Sequence, residues 1–186
     1  MNAKVDITGV EIKTDRLLLR EWRESDLNDF FEYASVDGVG QMAGWKPHAD
    51  KKTTKRVLES FVSEKKVFCL EYNGKAIGSL GIEPYDEKSY PELADLKGRE
   101  IGYVLSKEYW GRGLTPEAVK AVDKYCFEKI GCDFLLCGHF EWNRQSARVQ
   151  EKCGYKFLKR LDRSTLIGTI EPSIMNILYK KEINNE

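Results

Sequence analysis

Histidine is scarce in this sequence: His48 and His139 are the only two. A cysteine nucleophile needs a paired base, so a cysteine–histidine site has few places to form. Cys137 and His139 share a face of the probable strand "FLLCGHF". Nothing around them supplies the electropositive setting that a thiolate needs, so both are read as packing residues. The five cysteines fall at irregular spacing without a CxxC. That fits neither a disulfide framework nor a zinc site, and free, partly buried thiols are expected. No metal is expected. There is no apolar run near the roughly 20 residues of a membrane span. The opening "MNAKVDITGVEIKTDR" lacks a signal-peptide apolar region, so a cytoplasmic protein with no membrane partner is expected. Thirty Lys and Arg balance thirty Asp and Glu, which argues against a nucleic acid as direct ligand. Repeats, low-complexity tracts and long linkers are also missing. A single domain over residues 1–186 is expected.

The patterning predicts alternating strands and helices. A strand is expected up to about Trp22. A short helix follows, capped by Ser25 or Asp26, with Leu27, Phe30 and Phe31 inward. Val57, Leu58, Phe61 and Val62 mark a second helix. "VFCLEY" and "KAIGSLGI" flank Asn73-Gly74 and read as a hairpin. "REIGYVLS" is a strand, and a helix with Ala118, Val119, Val122, Tyr125, Cys126 and Ile130 on one stripe runs to Gly131. "DFLLCGHF", a helix stopped at Gly154, "YKFLKRL" and "SIMNILYKKE" complete the chain, with "DRSTLIGTIEP" as the last loop. The expected fold class is α/β: a layered domain with a central mixed, mostly antiparallel sheet of about seven strands and about four helices.

The stretch "YWGRGLTPEA" carries the chemistry. Thr115 is a candidate N-cap, Pro116 suits the first helical position, and Glu117 complements the helix dipole. Glycines at 111 and 113 let backbone N–H groups converge. A donor-rich turn at a helix start is an anion site, or else a tight connection that holds nothing. Neither GxxxxGK[ST] nor GxGxxG occurs. No lysine follows the glycines, so phosphoryl transfer is disfavoured. A diphosphate held by main-chain donors remains.

Together with "NRQSARVQEKCGYKF" and "KTDRLLLREW", this turn resembles the GNAT superfamily of acetyl-CoA-dependent N-acetyltransferases. Within it, the pattern is most similar to the ribosomal-protein N-terminal acetyltransferases. The resemblance implies a GNAT-like fold with acetyl-CoA as cosubstrate. It places the pyrophosphate on the N–H groups of Gly111, Arg112, Gly113, Leu114 and Thr115, beside Trp110. It places the pantetheine arm along Tyr103, Val104 and Leu105, with Asn143 as a further partner or a plain N-cap. An N–H near Val104 would serve the thioester oxygen. The superfamily turn usually reads Gln or Arg, two residues, Gly, one residue, Gly or Ala; Trp110 and Thr115 stand at its outer positions. Many members carry a tyrosine seven residues after the helix Asn, as general acid. Here that position is Gln150, and the resemblance points to Ser146 as general acid.

Candidate bases are Glu100, slightly preferred, and Glu83, with Asp86 close behind; solvated strand-end carboxylates are the plain alternative. Arg148 and Lys152 either approach a CoA phosphate or form a solvated face. Trp22, Trp45, Tyr85 and Tyr90 either line an acceptor site or cover the core edge. The acceptor is a primary amine, either a protein N-terminus or a small molecule. A non-catalytic CoA-binding module and an oligomerising scaffold are the competing classes; in the latter, "SIMNILYKKE" would pair between chains of a homodimer.

Overall fold

Asn73 and Gly74 adopt φ of 51° and 79°, the two positive values that a type I′ turn requires. They join β3 (Val67–Tyr72) to β4 (Lys75–Glu83), as the Asn-Gly pair predicts. The computed structural model describes residues 1–180, and this hairpin lies inside its one sheet. Before it come β1 (Ile12–Lys13), β2 (Leu18–Glu21), α1 (Leu27–Ala34) and α2 (Lys51–Glu64). After it come β5 (Gly98–Leu105), α3 (Leu114–Tyr125), β6 (Phe134–Phe140), α4 (Arg144–Lys152), β7 (Lys156–Ser164) and β8 (Ile170–Tyr179). The sheet has eight strands in the order β1-β2-β3-β4-β5-β6-β8-β7. Of the strand pairs among the described residues, β5–β6 is parallel and the others are antiparallel.

The expected layered α/β fold is present, with four α-helices among the described residues. The eighth strand arises because the first predicted strand is a hairpin. Thr14 N–H donates to Leu17 O (2.9 Å), and Leu17 N–H returns to Thr14 Oγ1 (2.9 Å). The predicted final loop is shorter than expected, because β7 and β8 extend into it and leave only residues 165–169. The predicted last strand covers 173–182, of which 181–182 lie outside the described residues. β8 is interior, paired with β6 on one side and β7 on the other. Its ladder groups are already used, so it cannot supply the inter-chain pairing expected of an edge strand.

Three clusters bury the apolar residues. Ala118, Val119, Val122 and Cys126 pack on Ile77, Ile101 and Leu135, so α3 covers one face. Burying each valine contributes about 1.5–3 kcal/mol. Trp22, Phe30, Tyr33 and Leu58 join α1 and α2 to the opposite face. Phe31 is only half-buried, and Tyr33 and Ala34 take the inward positions instead. The third cluster sets Tyr85, Tyr90 and Leu93 over Phe134, Leu136 and Met175. Trp22, Tyr85 and Tyr90 are therefore core residues. Trp45 is half-buried against His48, at a ring separation of 5.2 Å.

Ser25 and Asp26 do not cap α1 with their side chains. The Asp26 carboxylate instead accepts two hydrogen bonds from Arg20 (2.8 and 2.9 Å) and one from Arg23 N–H (2.8 Å). Arg20 also donates to Glu71 at 2.6 Å. This buried pairing, Asp26 foremost, raises the Arg20 pKa further and keeps it charged.

Candidate active site

The β5–β6 ladder stops early. Its register runs from Gly98↔Phe134 to Glu100↔Leu136, yet β5 continues to Leu105 on β4, and β6 continues to Phe140 on β8. The two strands therefore diverge. In a strand, alternate residues send their N–H and C=O groups to opposite sides. Part of the 101–105 backbone thus faces the gap instead of a partner strand. A cleft of about 390 Å³ fills this opening, lined by Tyr103, Val104 and Leu105 on one side and by Asn143, Ser146, Arg148 and Lys152 on the other.

The glycine turn closes one end of the cleft. Gly111 and Gly113 have φ of 76° and 77°, a left-handed conformation that favours glycine. Gly113, not Thr115, is the N-cap residue, and α3 begins at Leu114. Pro116 is consequently the third helical residue. It remains tolerated there because first-turn N–H groups have no intrahelical partner. Glu117 N–H makes the first such bond, to Gly113 O at 3.3 Å. The N–H groups of Leu114 and Thr115 precede it and stand at the positive end of the helix dipole. Trp110 donates its indole N–H to Leu105 O (2.8 Å), which clamps the turn to the end of β5. Glu117 does more than complement the dipole. It accepts from Thr14 Oγ1 (2.6 Å), Arg16 N–H (2.9 Å) and the Arg16 guanidinium (2.7 Å). Arg16 in turn donates to Arg112 O at 2.8 Å. The β1–β2 turn thereby braces the glycine turn.

The opposite wall is polar. Asn143 caps α4 by accepting Ser146 N–H (3.0 Å), and its amide donates to Met42 O (3.1 Å). Its side chain is 4% exposed and occupied at both ends. It ties the 40–43 turn across the cleft to α4. Ser146 Oγ lies 2.8 Å from Tyr103 Oη. Gln150 is buried behind them and contacts Ser146 Oγ and His139 Nδ1. Burial pushes the Tyr103 phenol well above its ordinary pKa, so it stays protonated. Burial likewise pushes the Cys137 thiol up. His139 is bonded to Gln150 rather than to that thiol.

The predicted carboxylates lie elsewhere. Glu83 and Glu100 are register partners on β4 and β5, so both side chains occupy one sheet face. Tyr103 lies on the other. Arg163 holds Glu100 at 2.6 Å, and Lys66 holds Glu83 at 2.7 Å. Neither lines the cleft. Asp86 accepts from Ser89 Oγ (2.6 Å), and this bond, with the Lys88 N–H, lowers its pKa; it is a turn residue.

Arg148 and Lys152 do line the cleft, although both are exposed. An (i, i+4) cation pair does not by itself say what lies opposite it. Val39, Met42 and Ala43 also line it. They carry no motif; contacts with distant parts of the chain bring them there, among them Val39 in the core cluster beside Val104 and Trp110, and Asn143 to Met42, 101 residues apart.

An open parallel pair, a glycine turn and a polar helix wall meet at this cleft. The acetyltransferase (GNAT) domain model matches residues 16–156, and the chain belongs to that family. It is an N-acetyltransferase, a class that takes its acetyl group from acetyl-CoA. A curated relative, the uncharacterized N-acetyltransferase YoaA of Bacillus subtilis (strain 168), is 28% identical over 152 residues, covering 78% of this chain and 82% of the relative. A GNAT-family acetyltransferase from Bacillus anthracis superposes with a TM-score of 0.79 at 20% identity, covering 92% of this chain and 99% of that one. Mycobacterium smegmatis RimJ in complex with CoA-disulfide gives a TM-score of 0.76 at 17% identity, with 97% and 92% covered. No helix among the described residues is long and apolar enough to cross a membrane.

Proposed function

We propose that the chain acetylates an α-amine, that of a peptide N-terminus or an amino acid, by direct attack in a ternary complex. The observation that carries this is the cleft itself: unpaired N–H donors at one end, the Ser146 hydroxyl in its wall, and no carboxylate lining it among the described residues. Bound acetyl-CoA would supply the activated acetyl group as a thioester. The chain's residues fit it. The N–H groups from Gly111 to Thr115 form the diphosphate cradle, with Arg148 and Lys152 near its outer phosphate. The gap-facing backbone of β5 near Val104 pairs with the pantetheine arm and donates to the thioester oxygen, where charge develops. Ser146 donates its proton to the leaving sulfur.

The missing carboxylate selects the acceptor. An α-amine has a pKa of about 7.7–8.0, so about a third is neutral at pH 7.5. A lysine-type amine, with a pKa of about 10.4, is neutral in about one molecule per thousand. With Glu83 and Glu100 each held by a cation, an amine that loses its proton to solvent is favoured. Glu100 remains the candidate base for any proton transfer through water. Free thiols fit a reducing compartment, and we place this activity in the cytoplasm.

Thr115→Glu tests the cradle. Glutamate suits a helix N-terminus, so the fold is retained while a carboxylate faces the proposed diphosphate. Calorimetric titration with acetyl-CoA should give micromolar affinity for wild type and at least a tenfold loss in the variant. Mass spectrometry should show acetylation of an alanine-initiated peptide but not of an Nα-blocked lysine peptide. Failure of well-folded wild type to bind acetyl-CoA, or a preference for the lysine peptide, refutes this reading.

A further inference from the structure

Behind Ser146 lies a hydrogen-bond network in which every direction but that of the Tyr103–Ser146 hydroxyl contact is fixed by the partners. Gln150 Oε1 and Nε2 have different partners, and Gly138 O fixes which is which. A backbone carbonyl only accepts, so the atom 3.1 Å from it is Nε2. Oε1 must then receive donors. Those are Asn176 Nδ2 at 2.7 Å and His139 Nδ1 at 3.0 Å. His139 is therefore in the Nδ1–H form whenever it is neutral. The second Nε2 proton points to Ser146 Oγ at 3.3 Å. Tyr103 Oη approaches the same Oγ at 2.8 Å, closer than its 3.2 Å to Ser146 O. A serine oxygen has two acceptor positions and one proton. Tyr103 Oη–H can reach Ser146 Oγ or Ser146 O; where it follows the shorter contact, it and Gln150 fill both acceptor positions of Oγ, and the serine proton points into the cleft.

We propose that Tyr103 and Gln150 are positioning residues that fix Ser146 as an obligate hydrogen-bond donor toward the leaving sulfur. This rests on the acetyltransferase reading above, with Ser146 as its acid. In the step, the amine nitrogen bonds to the acetyl carbon and the carbon–sulfur bond breaks; the Ser146 O–H bond breaks as the sulfur–hydrogen bond forms, and the proton released by the acylated nitrogen returns through water to Ser146. Tyr103 Oη–H supports the serine oxygen while its charge develops, so no alkoxide outlasts the step. Gln150, at the position where many members of the superfamily carry a tyrosine as general acid, takes no proton itself. It aims the hydroxyl, and a phenol from β5 backs it.

The test combines a kinetic cycle with a spectrum of the free protein. Tyr103→Phe keeps the ring and removes the hydroxyl. Release of CoA from acetyl-CoA with the alanine-initiated peptide is followed for wild type, Tyr103→Phe, Ser146→Ala and the double variant. Expected are a kcat about tenfold lower for Tyr103→Phe, an unchanged KM for acetyl-CoA, and a double variant no slower than Ser146→Ala alone, because one hydroxyl acts through the other. Nitrogen-15 NMR of histidine-labelled protein, which has only two imidazoles to assign, recorded at a pH where the ring is neutral by its shifts, should show protonated Nδ1 and bare Nε2 at His139. An active wild type whose two losses simply multiply overturns the proposal, as does an Nε2–H form at His139. A wild type inert toward the peptide refutes the functional reading instead; the wiring then stands or falls on the His139 spectrum.

Discussion

Asp123 should make this protein less stable as pH rises, and replacing it should remove that dependence. The side chain points from α3 into the core and is 1% exposed. Oδ1 accepts the Tyr155 hydroxyl at 2.8 Å, and Oδ2 has no partner. Burial raises its pKa from 3.8 to about 8, against the smaller lowering effect of Tyr155. Between those values the folded chain keeps a proton that the unfolded chain releases. Its contribution is therefore fully present below the unfolded value and is lost as pH climbs toward the folded one. At about 1.4 kcal/mol per pH unit, holding that proton at pH 7 costs about 4 kcal/mol. Relaxation and water entry reduce the figure, so about 2–4 kcal/mol is expected. Asp123→Asn keeps the acceptor for Tyr155 and does not titrate. Its melting temperature should exceed that of wild type by about 5 °C or more at pH 7. The gap should widen toward pH 8 and shrink toward pH 4. Thermal unfolding followed by circular dichroism at pH 5, 7 and 9 reads this directly. A variant destabilised equally at every pH would show that Asp123 is ionised in the fold and that the burial argument is wrong. Acetyl-CoA affinity should not change, because the side chain lies about 12 Å along the helix from Thr115.

Two further outcomes follow from the ion pairs. Arg20→Met leaves the carboxylates of Asp26 and Glu71 facing each other without their shared cation; urea unfolding should show a loss of about 3–5 kcal/mol. Glu100→Gln should lower kcat with the alanine-initiated peptide by less than tenfold, since Arg163 already occupies that carboxylate; a loss beyond a hundredfold would restore Glu100 as an essential base.

Features written in neighbouring residues were legible in the sequence. Asn73-Gly74 encodes its turn by the angles those two residues tolerate; Gly131, φ 79°, ends the π-helical turn Cys126–Ile130 that continues α3, and Gly154, φ 85°, follows the end of α4. The helical stripe of α3 needs only the periodicity of its own residues. What the sequence concealed is set by partners far along the chain. The break between β1 and β2 contains neither glycine nor proline. Its turn is held by Glu117, which lies 103 residues beyond Thr14. The same glutamate explains why its residue type at the helix start matters beyond the dipole. β8 reads as a terminal strand, yet its interior place follows from which strands flank it, and no local pattern states strand order. Glu100 looks like a free strand-end carboxylate until Arg163, 63 residues later, is set against it. Ser146 carries the family's motif, but its proton direction depends on Tyr103, 43 residues earlier, and on Gln150, one helical turn later. Gln150 in place of a tyrosine weakens a catalytic reading when taken alone. Placed beside the Tyr103 phenol, it belongs to the proposed acid, assembled from β5 and α4. That arrangement exists only where β5 has parted from β6, so the feature that opens the cleft also brings the phenol to the serine.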